Sequence, residues 1–368
     1  MTGAQSENHR PKRTILVLGA GASVSEAMHF RPKRHQEHPP LDGNFFRKVL
    51  SNADEALVEP VAEQASAVGQ SNLFRDDPPV SLEEHLGRIY FAMRNEGSEA
   101  SRTAYFDLVR LYQSELLKTT NWMIGRTGML KRLVQSELAT GARVTILTFN
   151  HDLLAENALA QLPNRQHRCW CLSHVYGIGG MEFISSNDEA FETACPGCGG
   201  ELIRILKLHG SMNWVFRTRD PDPPGDLGRS RRNRKRQLFL WSNKRLPERP
   251  GSRLRTQKGR NWYLWPLIVP PVYEKHGMLR DELDQVWRLA AEEVSQASKA
   301  IFWGYSFPRA DLHARYFFDR AANENDALRE PVLVNPDPNA ALALWEALRP
   351  RSVRHYRHIG SCLQDEYR

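Results

Sequence analysis

Five short apolar runs in this chain end in the same way. TILVL runs into Gly19-Ala20-Gly21-Ala22-Ser23, and RVTILTF into Asn150-His151-Asp152. LIRILKL runs into His209-Gly210-Ser211, KAIFW into Gly304-Tyr305-Ser306, and PVLV into Asn335-Pro336-Asp337. Each run has strand length, and amphipathic helical patterns separate them. Continuous apolar strands alternating with helices specify a parallel sheet buried on both faces. In such a sheet every strand ends at the same edge, which is the edge where open α/β sheets bind ligands. The expected fold class is therefore α/β: a Rossmann-like parallel sheet whose five polar or glycine-rich knots share one edge.

The rest of the chain hangs on this frame. Residues 1–13 are polar and expected to be disordered, and residues 14–368 are expected to form a single domain. Residues 42–140 read as a large helical insert: DGNFFRKVL, VSLEEHLGRIYFAMR and TAYFDLVRLYQSELLKTTNWMI space their apolar residues at i, i+3 and i+4. DLLAENALAQL, LRDELDQVWRLAAEEVSQA, a segment from about 310 and NAALALWEAL read as further helices, with LIVPP and VRHYRHIG as additional strands. Residues 165–200 form a cysteine-bearing insert, and residues 217–260 read as a basic, proline-rich loop. No internal repeat is visible.

Composition excludes some classes. The chain has 368 residues, 41% hydrophobic and 25% charged, with no apolar run near the roughly 20 residues a membrane span needs. The N-terminal stretch lacks the apolar segment of a secretory signal. Five cysteines in a chain of this size do not make a secreted disulfide framework, so a cytoplasmic protein is expected. The net charge of +7 is concentrated in RSRRNRKR at 229–236. That run reads either as a solvated loop or as a contact for nucleic acid or an acidic partner; no aromatic residue interleaves it.

Each knot admits a bland and a chemical reading. Gly19 to Ser23 is either a tight turn or a cradle in which glycines let backbone amides approach a diphosphate at a helix start. Asp152 suffices as a helix N-cap, but Asn150 has no such excuse, and an amide suits a ribose hydroxyl or a water. His209 is either a satisfied structural residue or a base near neutral pH. Gly304, Ser306 and Asn335 fit turn chemistry and also contacts to ribose or phosphate. Cys169, Cys171, Cys195 and Cys198 pair on turn-forming sequence and suit a tetrahedral structural zinc (Zn2+), although Cys-x-Cys is tighter than the usual spacing. His167 and His174 flank the first pair; Cys362 stands apart.

Taken in order, GAGAS, TFNHD, KLHGS, GYSFPRAD and VNPD resemble the sirtuin-like (silent information regulator 2-like) domain, over about residues 12–350. They are closer to its bacterial branch that hydrolyses NAD in anti-phage defence than to the protein deacetylases. The resemblance implies that Gly19, Ala20, Gly21 and Ser23 cradle the diphosphate of NAD+. It implies that Asn150 sits by the nicotinamide ribose with Asp152 supporting it, and that His209 acts on the ribose hydroxyls. Gly304, Ser306 and Asn335 would line the adenosine side. The cysteine module precedes His209 here, whereas sirtuins place theirs after the histidine. The Gly-Ile-Pro-Asp-Phe-Arg stretch of deacetylases is reduced here to at most Phe30 and Arg31, which points to NAD+ itself as the substrate.

Three functions follow as expectations. The first is an NAD+ glycohydrolase yielding nicotinamide and ADP-ribose. The second is an NAD-dependent protein deacylase, and the third a non-catalytic module that binds NAD or ADP-ribose and regulates a partner. A hydrolase of free NAD+ would harm its own cell, so latent activity is expected. Release would come from a homo-oligomer assembled through the insert or from an activating partner protein, such as an ATPase or a nucleic-acid-handling protein.

Overall fold

The computed structural model describes residues 12–31, 33, 38–52, 55–67, 81–162, 175–178, 182–184, 190–191, 203–219, 238–241, 246, 252–255, 261–269, 281–308 and 311–367. The four paired cysteines and the basic run 229–236 lie outside them. A six-stranded sheet forms the centre. Its strands are β1 (Arg13–Leu18), β2 (Arg143–Thr148), β5 (Arg204–Lys207), β10 (Lys299–Trp303), β11 (Val332–Val334) and β12 (Arg354–Tyr356). All pair in parallel, in the order β12-β11-β10-β1-β2-β5. The chain thus builds outward in one direction from β1, then returns and builds outward in the other from β10. That is the doubly wound, Rossmann-like order, and the reversal leaves a crevice between the carboxyl ends of β1 and β10. Ile15, Leu16 and Val17 are wholly buried, as a central strand covered on both faces must be.

Helices cover the sheet: α1 (Ala20–Phe30), α6 (Met129–Ala139), α7 (Leu154–Ala160), α8 (Asp281–Ser295), α9 (Leu312–Glu324), α10 (Pro338–Leu348) and α11 (Ile359–Glu366). The insert between α1 and α6 contains α2 (Phe45–Asn52), α3 (Glu55–Ala67), α4 (Leu82–Glu96) and α5 (Glu99–Trp122), as its periodicity predicts. Its longest pair is punctuated locally. Ser81 caps α4 by accepting from the Glu84 amide, Gly97 ends it in the left-handed region, and Ser98 at once caps α5. No side chain of its own caps α6. The buried Glu26 in the middle of α1 accepts from the Gly128 and Leu130 amides instead, so α1 caps the start of α6.

The region read as a loop departs from expectation. A second sheet, ordered β4-β3-β7-β6-β9-β8, is built from β3 (Glu182–Ile184), β4 (Ala190–Phe191), β6 (Gly210–Thr218), β7 (Leu238–Trp241), β8 (Ser252–Arg255) and β9 (Asn261–Ile268). Most of its pairing is antiparallel; β6 pairs with β7 and β9 across long stretches of sequence, whereas β8 and β9 form a local hairpin. Hence the knot after β5 is no strand-to-helix turn. Residues 208–210 pass straight into β6. Gly210 makes this possible with φ +85°, since a Cβ there would lie 2.2 Å from the Leu267 carbonyl oxygen. No helix among the described residues is long and apolar enough to cross a membrane.

Candidate functional site

The crevice closes on its glycines. The Gly19 amide donates to Trp303 O at 3.0 Å and the Gly21 amide to Gly304 O at 3.0 Å, so the first turn is laced to the end of β10. A Cβ at Gly19 would stand 2.4 Å from Gly304 O, and one at Gly304 would stand 2.1 Å from the Ala22 nitrogen. Gly304 also adopts φ +64°. Close backbone approach across the switch point thus requires these glycines, whatever ligand the turn takes. Helix α1 starts at Ala20, so its N-terminal dipole faces the crevice as the phosphate reading requires.

Beside this turn runs a directional hydrogen-bond relay. Asn150 Nδ2 donates to Gly19 O at 2.8 Å and to Ser23 Oγ at 3.1 Å. The Ser23 hydroxyl donates in turn to Asp152 Oδ2 at 2.5 Å. Asp152 Oδ1 accepts from the Leu154 amide at 3.0 Å, a local turn bond just before the helix; the N-cap of α7 is Leu153, one residue later than the sequence suggests. Gly19 O can only accept, which fixes which way the Asn150 amide faces. Both Nδ2 hydrogens are engaged, and Oδ1 makes no hydrogen bond among the described residues. Asn150 therefore keeps an acceptor uncommitted among the described residues. Ser23, expected on the diphosphate, has its hydroxyl committed to this relay.

Buried Lys207, which the sequence reading passed over, holds the same turn from below. Its Nζ contacts the Asp152 carbonyl and lies 3.2 Å from Glu156 Oε1. His151, given no role from sequence, is buried with both ring nitrogens in contact: Tyr112 OH at 2.9 Å from Nδ1 and Val269 O at 3.1 Å from Nε2. Since Val269 O accepts, Nε2 carries a proton and the neutral ring takes the Tyr112 hydroxyl at Nδ1. Tyr112 belongs to α5, so the insert is tied directly to this knot.

His209 lies at the junction of the two sheets. Its carbonyl accepts from the Val269 amide at 2.8 Å, and the preceding Leu208 carbonyl accepts from Trp287 Nε1 of α8 at 3.0 Å. Its ring stands edge-on to Phe149 with centroids 5.1 Å apart, next to Asn150 in the chain. The structure therefore brings His209 and the Asn150 knot together. Nε2 of His209 is 3.2 Å from Oδ2 of Asp311. Asp311 lies within the GYSFPRAD segment, yet only the tertiary fold reveals its neighbour.

Gly304 and buried Asn335 stand on adjacent strand ends, and Asn335 Nδ2 donates to Tyr305 O at 3.4 Å. Ser306 is exposed. Burial, and after it the carboxylates of Asp42, Asp152 and Glu83, hold the Tyr112 phenol far above its ordinary range. Burial, Asp311 and Glu83 do the same to Tyr305, with Arg315 opposing. Two of these carboxylates, Asp42 and Glu83, come from the insert. Among the described residues no cluster of His, Cys, Asp or Glu could hold a metal ion.

No protein-family model matches the chain, and no curated protein does. Similar solved structures include one from work on the mechanism and regulation of Sir2 enzymes. It is 15% identical, covering 96% of this chain and 90% of that chain, with a TM-score of 0.42. Two others are complexes of a Sir2 homologue with ADP-ribose, each carrying one substitution. Both are 14% identical, covering 96% of this chain and 94% of the other, with a TM-score of 0.40.

Proposed function

We propose that this chain is an NAD+ glycohydrolase, cleaving NAD+ to nicotinamide and ADP-ribose and so depleting NAD as an effector of bacterial anti-phage (abortive infection) defence. The observation that carries the reading is the orientation of Asn150, whose side-chain oxygen, an acceptor beside the switch point, makes no hydrogen bond among the described residues. Cleavage of a nicotinamide riboside passes through an oxocarbenium-like state, as glycoside hydrolysis does. The C1′–N bond breaks with its electron pair leaving on neutral nicotinamide; water forms the new C1′–O bond and one proton is released. Asn150 Oδ1 accepts from that water or from a ribose hydroxyl and turns the negative end of its dipole to the cation. His209 polarises the ribose diol, and Asp152 anchors the relay while adding negative charge nearby. The helix start at Ala20, with Gly19 and Gly21, takes the diphosphate, while Gly304, Ser306 and Asn335 border the adenosine side.

In the same reading the activity is latent, released by self-assembly or by a partner protein. Cys169, Cys171, Cys195 and Cys198 would hold a structural zinc. The test is to incubate purified protein with NAD+ alone, then with NAD+ and an acylated lysine peptide, and to follow the products by chromatography. Equal release of nicotinamide and ADP-ribose without peptide supports the reading. Nicotinamide release that needs the peptide, with acyl-ADP-ribose formed, would replace it with the deacylase.

A further inference from the structure

We infer that Asp311 is the positioning residue of His209: it holds the imidazole in the tautomer that acts on the ribose diol and steadies the positive charge the ring acquires. This inference rests on the glycohydrolase reading.

Asp311 caps α9, with Oδ1 accepting from the Ala314 amide at 3.3 Å. A cap needs only one neutral acceptor, and Asn or Ser serves there as well as Asp. A full negative charge in a side chain 2% exposed is costly unless a polar hydrogen or a positive group meets it. The second oxygen provides that meeting, 3.2 Å from His209 Nε2, and the histidine side chain is itself 9% exposed. The contact is an ion-pair distance and not a linear hydrogen bond; charging the ring tightens such a contact.

The walls leave the ring little other freedom. Phe149 stands edge-on to it, and Trp287 lies 6.3 Å away between centroids. The backbone on either side is fixed by Val269 and Trp287. With the ring held, the remaining variable is the position of its proton. A carboxylate facing Nε2 favours Nε2–H over the other tautomer, and with it an acceptor at Nδ1. In turnover a ribose hydroxyl donates to Nδ1 as the C1′–N bond breaks onto nicotinamide. Water bonds to C1′ and one of its protons restores the hydroxyl. The ring, left protonated opposite Asp311, then passes that single proton to solvent. Asp311 never touches the substrate.

Asp311→Asn and Asp311→Ser in the full chain separate this role from capping, because both keep the cap. Steady-state turnover of NAD+ should show kcat falling on the order of 10²-fold or more, with KM and melting temperature near wild type. Asp311→Glu should recover part of kcat. A second measurement does not depend on turnover: ¹⁵N-histidine correlation spectra, with His209 assigned by its loss in His209→Gln. Wild type should show the Nε2–H tautomer, and Asp311→Asn a shifted or mixed one. Wild-type kcat in Asp311→Asn, or an Nδ1–H tautomer in the wild type, would overturn the inference. If the wild type cleaves no NAD+, even with its activating partner present, while the tautomer result holds, the glycohydrolase reading is what fails; wild-type turnover in His209→Gln would overturn the inference itself.

Discussion

At the scale of single residues, the site is an arrangement of donors that have been used up. Asn150 is informative because its two amide hydrogens point into the protein. Asn150→Asp keeps the shape, but sets an oxygen against Gly19 O and adds a charge. It should lower NAD+ turnover on the order of 10²-fold or more, as measured by product release. Ser23→Ala cuts the relay by removing one of the two acceptors that hold the Asn150 amide, and should reduce kcat about 10-fold or more, with a smaller change in KM. An unaltered kcat would mean that the relay does not orient the amide. Gly304→Ala tests the crevice itself. It forces a Cβ into the Ala22 nitrogen at positive φ, so thermal melts should show a loss of at least about 2 kcal/mol. The sequence exposed Asn150 and the glycines because they exceed what a turn needs. It could not expose Asp311 or Lys207. Each looks like an ordinary cap or surface charge until a strand distant in the chain places its partner.

Among elements, the helical insert turns out to be part of the site. Its periodicity predicts helices, and helices form; its chemistry is invisible in that periodicity because Tyr112 falls on the buried stripe like any core aromatic. Its hydroxyl on His151 links α5 to the Asn150 knot. Tyr112→Phe leaves His151 Nδ1 without that partner and should cost about 1–3 kcal/mol by denaturant titration, with turnover reduced. Stability at full strength with unchanged turnover would uncouple the insert from the site. Buried His85 on α4 packs edge-on to Phe46 of α2, and burial lowers its pKa from 6.5 to about 4. As pH falls from 6.5 toward 4, the unfolded chain takes up a proton that the folded chain refuses. Stability should therefore drop across that window, by about 3 kcal/mol at most, and this contribution should level off below it. In His85→Phe that share of the pH dependence should vanish. A wild-type pH profile in the variant would contradict the account.

For the whole molecule, one half was legible and the other was not. The doubly wound sheet could be read because five of its six strands lie in apolar runs with distinctive ends; β12, Arg-His-Tyr, is the polar edge. The second sheet was missed because it depends on long-range antiparallel pairing, and β7 and β8 lie within sequence that is basic and rich in proline. That sheet matters for chemistry, since β9 runs into Val269, whose backbone holds both His151 and His209. The insert was also expected to provide the contacts for assembly. Exposed apolar side chains occur both there, at Phe91 of α4, and outside it, at Leu312 and Tyr316 of α9 and Leu342 and Trp345 of α10. Metal analysis of the purified chain should find one zinc per molecule, as the cysteine spacing implies; folded, zinc-free protein would contradict that expectation.

The central claim is that Asn150 and His209 carry out chemistry on NAD+ rather than merely bind it. Its most direct test measures product release and NAD+ affinity on the same preparations of wild type, Asn150→Ala and His209→Ala. The account predicts nicotinamide and ADP-ribose from the wild type, neither from the variants, and NAD+ binding retained within about tenfold in all three. Undiminished release from the variants, or NAD+ bound by every form and cleaved by none even with its activating partner present, would contradict it.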